Sequence, residues 1–115
     1  MTEFTAEELL EKCVALAEDK KARELVSLNV GPLTTICDYF LIATATNTRQ
    51  AQSICDNLEE GLKAQDCGPL RIEGYNEASW ILMDLGQIIV HIFLPETREH
   101  YDLERLWGDA ERKEY

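Results

Sequence analysis

The run WILMDLGQIIVHIF, Trp80 to Phe93, constrains the fold more than any other part of the chain. It is almost continuously apolar and is interrupted at Gly86-Gln87, where the glycine can supply the positive φ that the first central position of a type II′ turn requires. Folding the chain about that two-residue loop pairs Leu85 with Ile88, Asp84 with Ile89, Leu82 with His91 and Trp80 with Phe93. Side chains alternate across a strand and directly paired residues share a face. One face is therefore Ile81, Met83, Leu85, Ile88, Val90, Ile92 and Leu94, aliphatic throughout, and it needs a cover of helices. The other is Trp80, Leu82, Asp84, Ile89, His91 and Phe93, with Asp84 and His91 on a diagonal. A slip of one register would exchange neighbours without removing this segregation. Two readings of the mixed face stand at this point. It is a second buried layer in which Asp84 and His91 satisfy each other, or an exposed aromatic and charged patch built to receive a partner.

The rest of the chain supplies what such a hairpin needs. Thr5-Ala-Glu-Glu8 has the capping-box spacing, and Leu9, Leu10, Cys13, Val14, Leu16 and Ala17 keep helical periodicity, predicting a helix over about 6–22. Glu24 to Val30 alternates as a strand. Gly31-Pro32 ends it, and Leu33 to Cys37 reads as a turn or short helical piece. Asp38 to Ala45 is nearly continuous apolar and reads as a central strand. Asn47 with Gln50 three residues on is a second cap, and Ala51, Ile54, Cys55, Leu58 and Leu62 form the stripe of a helix over about 48–65. After Cys67-Gly68-Pro69, a short strand at about 70–75 leads to the hairpin. Beyond Pro95, one or two short helices place Leu103, Leu106 and Trp107 at helical spacing before a charged tail. The expected order is α-β-β-α-β-β-β-α: an α/β (α+β, two-layer) domain, its mixed, mostly antiparallel-edged sheet carrying helices on one face. That arrangement covers the aliphatic face and leaves the Trp80/Phe93 face open, which favours the patch.

A chain of 115 residues predicts one domain, 1–115, with a core over about 5–110, large enough to bury roughly two thirds of its unfolded surface. No apolar run reaches the length of a membrane span, and the N-terminus MTEFTAEELLEK lacks the basic region of a signal or transit peptide, so the expected location is cytoplasmic. The four cysteines, Cys13, Cys37, Cys55 and Cys67, are widely spaced without a C-x-x-C and read as reduced, structural thiols. The formal net charge is −11, from 22 acidic against 11 basic residues. Phosphate backbones repel such a chain, so direct nucleic-acid binding is disfavoured and a basic protein partner is favoured. The only basic cluster, Lys20-Lys21-Ala22-Arg23, sits where cations complement a helix C-terminus.

Catalytic and ligand motifs are missing. Ser79 alternates onto the aliphatic face, away from His91 and Asp84, and cannot be their nucleophile. Neither the histidines nor the cysteines have metal-ligand spacing. No glycine-rich phosphate cradle is present, so no cofactor is expected. Glu73-Gly74 reads either as a functional acid or as the commoner arrangement, an acid before a turn glycine at a strand end.

Several stretches in order resemble one family. They are Asp38-Tyr39-Phe40-Leu41-Ile42-Ala43-Thr44, Thr48-Arg49-Gln50, Glu73-Gly74, Trp80 with Asp84, Val90-His91-Ile92-Phe93, and Arg98-x-x-Tyr101-x-Leu103-Glu104-x-Leu106-Trp107. Together they resemble the ribosomal silencing factor RsfS, or Iojap-like, family over about residues 5–110. The family usually has serine where Thr48 stands and often an acid where Gln87 stands. The resemblance implies a non-enzymatic protein with a nucleotidyltransferase-like topology, often a homodimer. It implies binding to the large ribosomal subunit through its basic protein numbered fourteen, steric exclusion of the small subunit, and repression of translation. True nucleotidyltransferases carry a Gly-Ser turn and Asp-x-Asp; here the turn reads Thr46-Asn47-Thr48 and no paired acids follow. On this reading Trp80 and Phe93 are apolar anchors. Asp84, Glu73 and Glu104 offer carboxylates to a basic partner, and Arg98 and Tyr101 flank the patch. His91 either orients Asp84 or touches the partner, while Leu106 and Trp107 belong to the core or a dimer contact. Two rivals are an active metal-dependent nucleotidyltransferase, which needs a divalent ion on carboxylates between residues 38 and 84, and a cytosolic adaptor for another basic protein.

Overall fold

The hairpin forms in the expected register. Strand β4 (Trp80–Asp84) pairs antiparallel with β5 (Ile88–Phe93), matching Trp80 to Phe93, Leu82 to His91 and Asp84 to Ile89. Gly86 takes a φ of 86°, and the Leu85 N–H donates to the Ile88 carbonyl at 2.9 Å. The structure is a computed structural model and describes residues 4–115. In chain order its other elements are α1 (Ala6–Asp19), β1 (Arg23–Asn29), β2 (Tyr39–Thr44), α2 (Thr48–Lys63), β3 (Arg71–Glu73), α3 (Pro95–Tyr101), α4 (Leu103–Leu106) and β6 (Glu111–Glu114). The sheet runs β3-β4-β5-β2-β1-β6. Among the described residues only β2 and β5 pair in parallel, and every other neighbouring pair is antiparallel. No helix of the described residues is long and apolar enough to cross a membrane.

Both helix starts follow their caps. Thr5 Oγ1 accepts from the Glu8 N–H while the Thr5 N–H donates to Glu8 Oε1, and Asn47 Oδ1 accepts from the Gln50 N–H at 2.8 Å. The end of α1 comes earlier than its periodicity suggested. Ala22 N–H donates to Ala17 O and Lys21 N–H to Glu18 O, with Lys21 at a φ of 62°. This is a Schellman closure with lysine in the left-handed position usually marked by glycine. The basic cluster consequently lies beyond the helix rather than in its last turn. Segment 33–37 is turn and bend, without a helix.

The aliphatic face is covered as its composition demanded. Leu9, Leu10, Cys13, Val14 and Ala17 of α1 and Ala51, Ile54, Cys55, Leu58 and Leu62 of α2 pack with Leu41, Ile81, Met83, Ile88, Val90 and Ile92 in one core. All four cysteines are unbridged, Cys13 and Cys55 within this core.

The opposite face differs from expectation. A second cluster of Val26, Leu28, Val30, Cys37, Phe40, Ile42 and Phe93 is covered by Leu103, Trp107 and Ala110. The cause is the charged tail, which forms β6 and pairs antiparallel with β1 from Val26↔Glu114 to Asn29↔Glu111. To reach that edge the chain folds α3 and α4 back over the sheet. Trp107 accordingly lies in a core contact, while Leu106 is 74% exposed rather than buried.

Candidate docking surface

The mixed face of the hairpin holds a connected set of rings. The indole of Trp80 lies 5.0 Å from Phe93 and 4.7 Å from Tyr101, centroid to centroid. Its Nε1–H donates to His91 Nδ1 at 3.1 Å. Phe40 stands edge-on against both His91 (4.9 Å) and Trp107 (5.3 Å). Depth divides the set. Phe93 is 1% and His91 4% exposed, so the expected anchor role of Phe93 and a direct partner contact by His91 do not hold for the chain as folded. The returning C-terminal segment and the Trp80 ring pack over them. Trp80, Leu82 and Ile89 are half-buried, and Tyr101 is 51% exposed. The accessible surface is therefore a rim of Trp80, Tyr101, Leu82 and Ile89 on an aromatic foundation.

Asp84 and His91 do not satisfy each other. Asp84 Oδ1 accepts from the Gly86 N–H at 2.9 Å, closing its own turn, because a short aspartate reaches the backbone two residues on more readily than a diagonal neighbour. Its Oδ2 lies 3.8 Å from Arg71 Nη2, and the Arg71 Nε pairs with Glu73 Oε2 at 2.9 Å. Arg71 thus bridges the two candidate carboxylates from the edge strand, where β3 pairs it opposite Asp84. Sequence reasoning overlooked Arg71, and the register of so short a strand was the only signal that could have found it. Both pairs are solvent-exposed enough to exchange partners at little cost.

Arg98 and Glu104 are committed elsewhere. Arg98 Nε bonds Glu104 Oε1 at 2.9 Å, and its Nη1 donates to the Glu24 carbonyl and to Thr44 Oγ1. Glu104 also pairs with Arg112 of β6. The bond from Arg98 holds the Glu104 carboxyl below its ordinary range. This network ties the C-terminal segment to the sheet, so the expectation that Glu104 offers a free carboxylate is corrected: it is paired with Arg98 and Arg112, and Arg98 is engaged in turn by Glu104, Thr44 and the Glu24 carbonyl. Both basic side chains of the charged cleft that Glu24, Arg98, Glu99, Glu104, Arg112 and Glu114 line are paired within it, Arg98 to Glu104 and Arg112 to Glu104 and Glu114.

The thiols are poor nucleophiles. Burial pushes Cys13 and Cys55 up to about 12 and Cys37 up to about 11. Among the described residues no group of three or more His, Cys, Asp or Glu side chains is placed to hold a metal ion. At Glu73-Gly74 the structure supports the turn reading: Gly74 has a φ of 79°, and a Cβ there would collide with the Trp80 carbonyl.

Residues 3–115 match the model of a family described as "Ribosomal silencing factor during starvation". The chain is 41% identical over 104 residues to the ribosomal silencing factor RsfS of Halalkalibacterium halodurans, spanning 90% of this chain and 89% of that protein. It is 34% identical over 101 residues to a mouse protein named mitochondrial assembly of ribosomal large subunit protein 1, spanning 85% of this chain and 44% of that one. The crystal structure of a Chromobacterium violaceum protein superposes with a TM-score of 0.89 at 28% identity, covering 91% of this chain and 88% of that chain.

Proposed function

The chain belongs to the ribosomal silencing factor family, whose members are not enzymes, and from that premise we propose that it binds the large ribosomal subunit and keeps the small subunit from joining. Translation is repressed by steric exclusion. The contact is made with the basic large-subunit protein numbered fourteen, in the cytoplasm, by a single-domain protein that forms homodimers. The observation that carries the reading is the Trp80–Tyr101 rim, an aromatic pair joining strand β4 to the end of α3, on the face of the hairpin that also carries the carboxylates Asp84 and Glu73. Aromatic anchors ringed by charge are the usual core of a protein-binding site. The net charge of −11 favours a basic partner over RNA. The name of the mouse relative, which refers to the large subunit, agrees.

Co-sedimentation with separated large and small subunits, followed by a subunit-joining assay, tests this. The expected result is migration with the large subunit alone and fewer joined ribosomes as protein is added. Protein remaining at the top of the gradient at low salt and micromolar concentration would reject the reading and leave the surface to another basic partner.

A further inference from the structure

Trp80 is packed by Phe93 and Tyr101, but its one directional bond is to His91. With Nδ1 accepting from the indole, the proton of the neutral imidazole sits on Nε2. That Nε2 is buried and has no hydrogen-bond partner. A buried unpaired donor carries a desolvation penalty that an apolar side chain in the same place, against Phe40 and Phe93, would not incur. What histidine adds here is the acceptor facing the indole. Burial pushes the imidazole down to about 4, so it stays neutral and able to accept at neutral pH.

We propose that His91 is a positioning residue, whose buried Nδ1 locks the indole of Trp80 in the orientation that presents its ring to the ribosomal partner. This rests on the reading of Trp80 as a docking anchor. An indole already fixed loses less side-chain freedom on docking, and affinity rises without a new contact.

The chain has two tryptophans, so the indole resonance of Trp80 is assigned by comparison with Trp80→Phe. In the unaltered protein its indole proton should exchange with solvent more slowly than that of free tryptophan. His91→Asn, whose amide oxygen replaces Nδ1, should keep that protection and bind large subunits within about threefold of the unaltered protein. His91→Phe should lose the protection and bind about tenfold more weakly while keeping its circular dichroism. Equal affinity of His91→Phe and the unaltered protein, with Trp80→Ala impaired, would overturn the positioning role alone. Undiminished binding by Trp80→Ala would remove the anchor, and the proposal with it, whatever the indole resonance shows. If His91→Phe does not fold, the unaltered protein decides: an indole proton exchanging as fast as in free tryptophan overturns the proposal.

Discussion

At the residue scale, Trp80 and His91 divide one task between the surface and the interior. Trp80→Ala should weaken large-subunit binding by about 2 kcal/mol with circular dichroism unchanged, since the ring is half-buried at the edge of a cluster that Leu103, Trp107 and Ala110 also cover. His91 makes a separate prediction about pH. Burial lowers its folded pKa to about 4 from an unfolded 6.5. Between those values the unfolded chain takes up a proton that the fold refuses. Its contribution to stability is therefore complete above the unfolded value, declines as pH falls, and is lost by the folded value. The total is roughly 3 kcal/mol. Urea unfolding at neutral pH and at pH about 4.5 should show a decline that is shallower in His91→Phe. An identical decline in both proteins would place the titration elsewhere, with Glu104, whose lowered pKa acts in the same direction, the next group to vary. Composition and alternation put Trp80 and His91 on one face of the hairpin. They could not say that Asp84 would cap its own turn and leave His91 to the indole, because that choice depends on where the turn places the Gly86 N–H relative to the carboxylate.

At the element scale, apolar periodicity, caps and turn residues made every element legible except β6. The stripe Ala51, Ile54, Cys55, Leu58 and Leu62 specified α2, and every member is buried. Strand β6, Glu-Arg-Lys-Glu, buries no side chain and is a strand only because the edge of β1 supplies hydrogen-bond partners. No pattern within it announces that. Its position has a consequence. A charged edge discourages strand pairing between copies, and β6 covers the more apolar β1. Removal of residues 111–115 should uncover β1, release Arg112 from Glu104 and increase self-association at high concentration. Sedimentation velocity would show it, and a truncated chain no more associated than the full one would mean that α3 and α4 alone shield the edge.

At the scale of the whole molecule, charge and shape act together. An excess of acidic side chains, net −11, should speed encounter with an isolated basic ribosomal protein. The association rate should then fall about tenfold or more between roughly 0.01 M and 0.15 M salt as the Debye length shortens. Stopped-flow tryptophan fluorescence against the isolated protein reads this directly, free of the opposing charge of ribosomal RNA. A salt-independent rate would assign affinity to the apolar rim alone. The sequence by itself determined the hairpin and its register, the two long helices, the aliphatic core and the acidic surface, because each depends on periodicity, turn chemistry or composition carried by neighbouring residues. Only the tertiary structure decided how much of the mixed face stays open. That depended on where a charged tail found unpaired backbone, and the edge of β1 drew α3 and α4 across the sheet. Phe93, His91, Arg98 and Glu104 were thereby withdrawn into the fold, and Trp80 and Tyr101 were left at its surface.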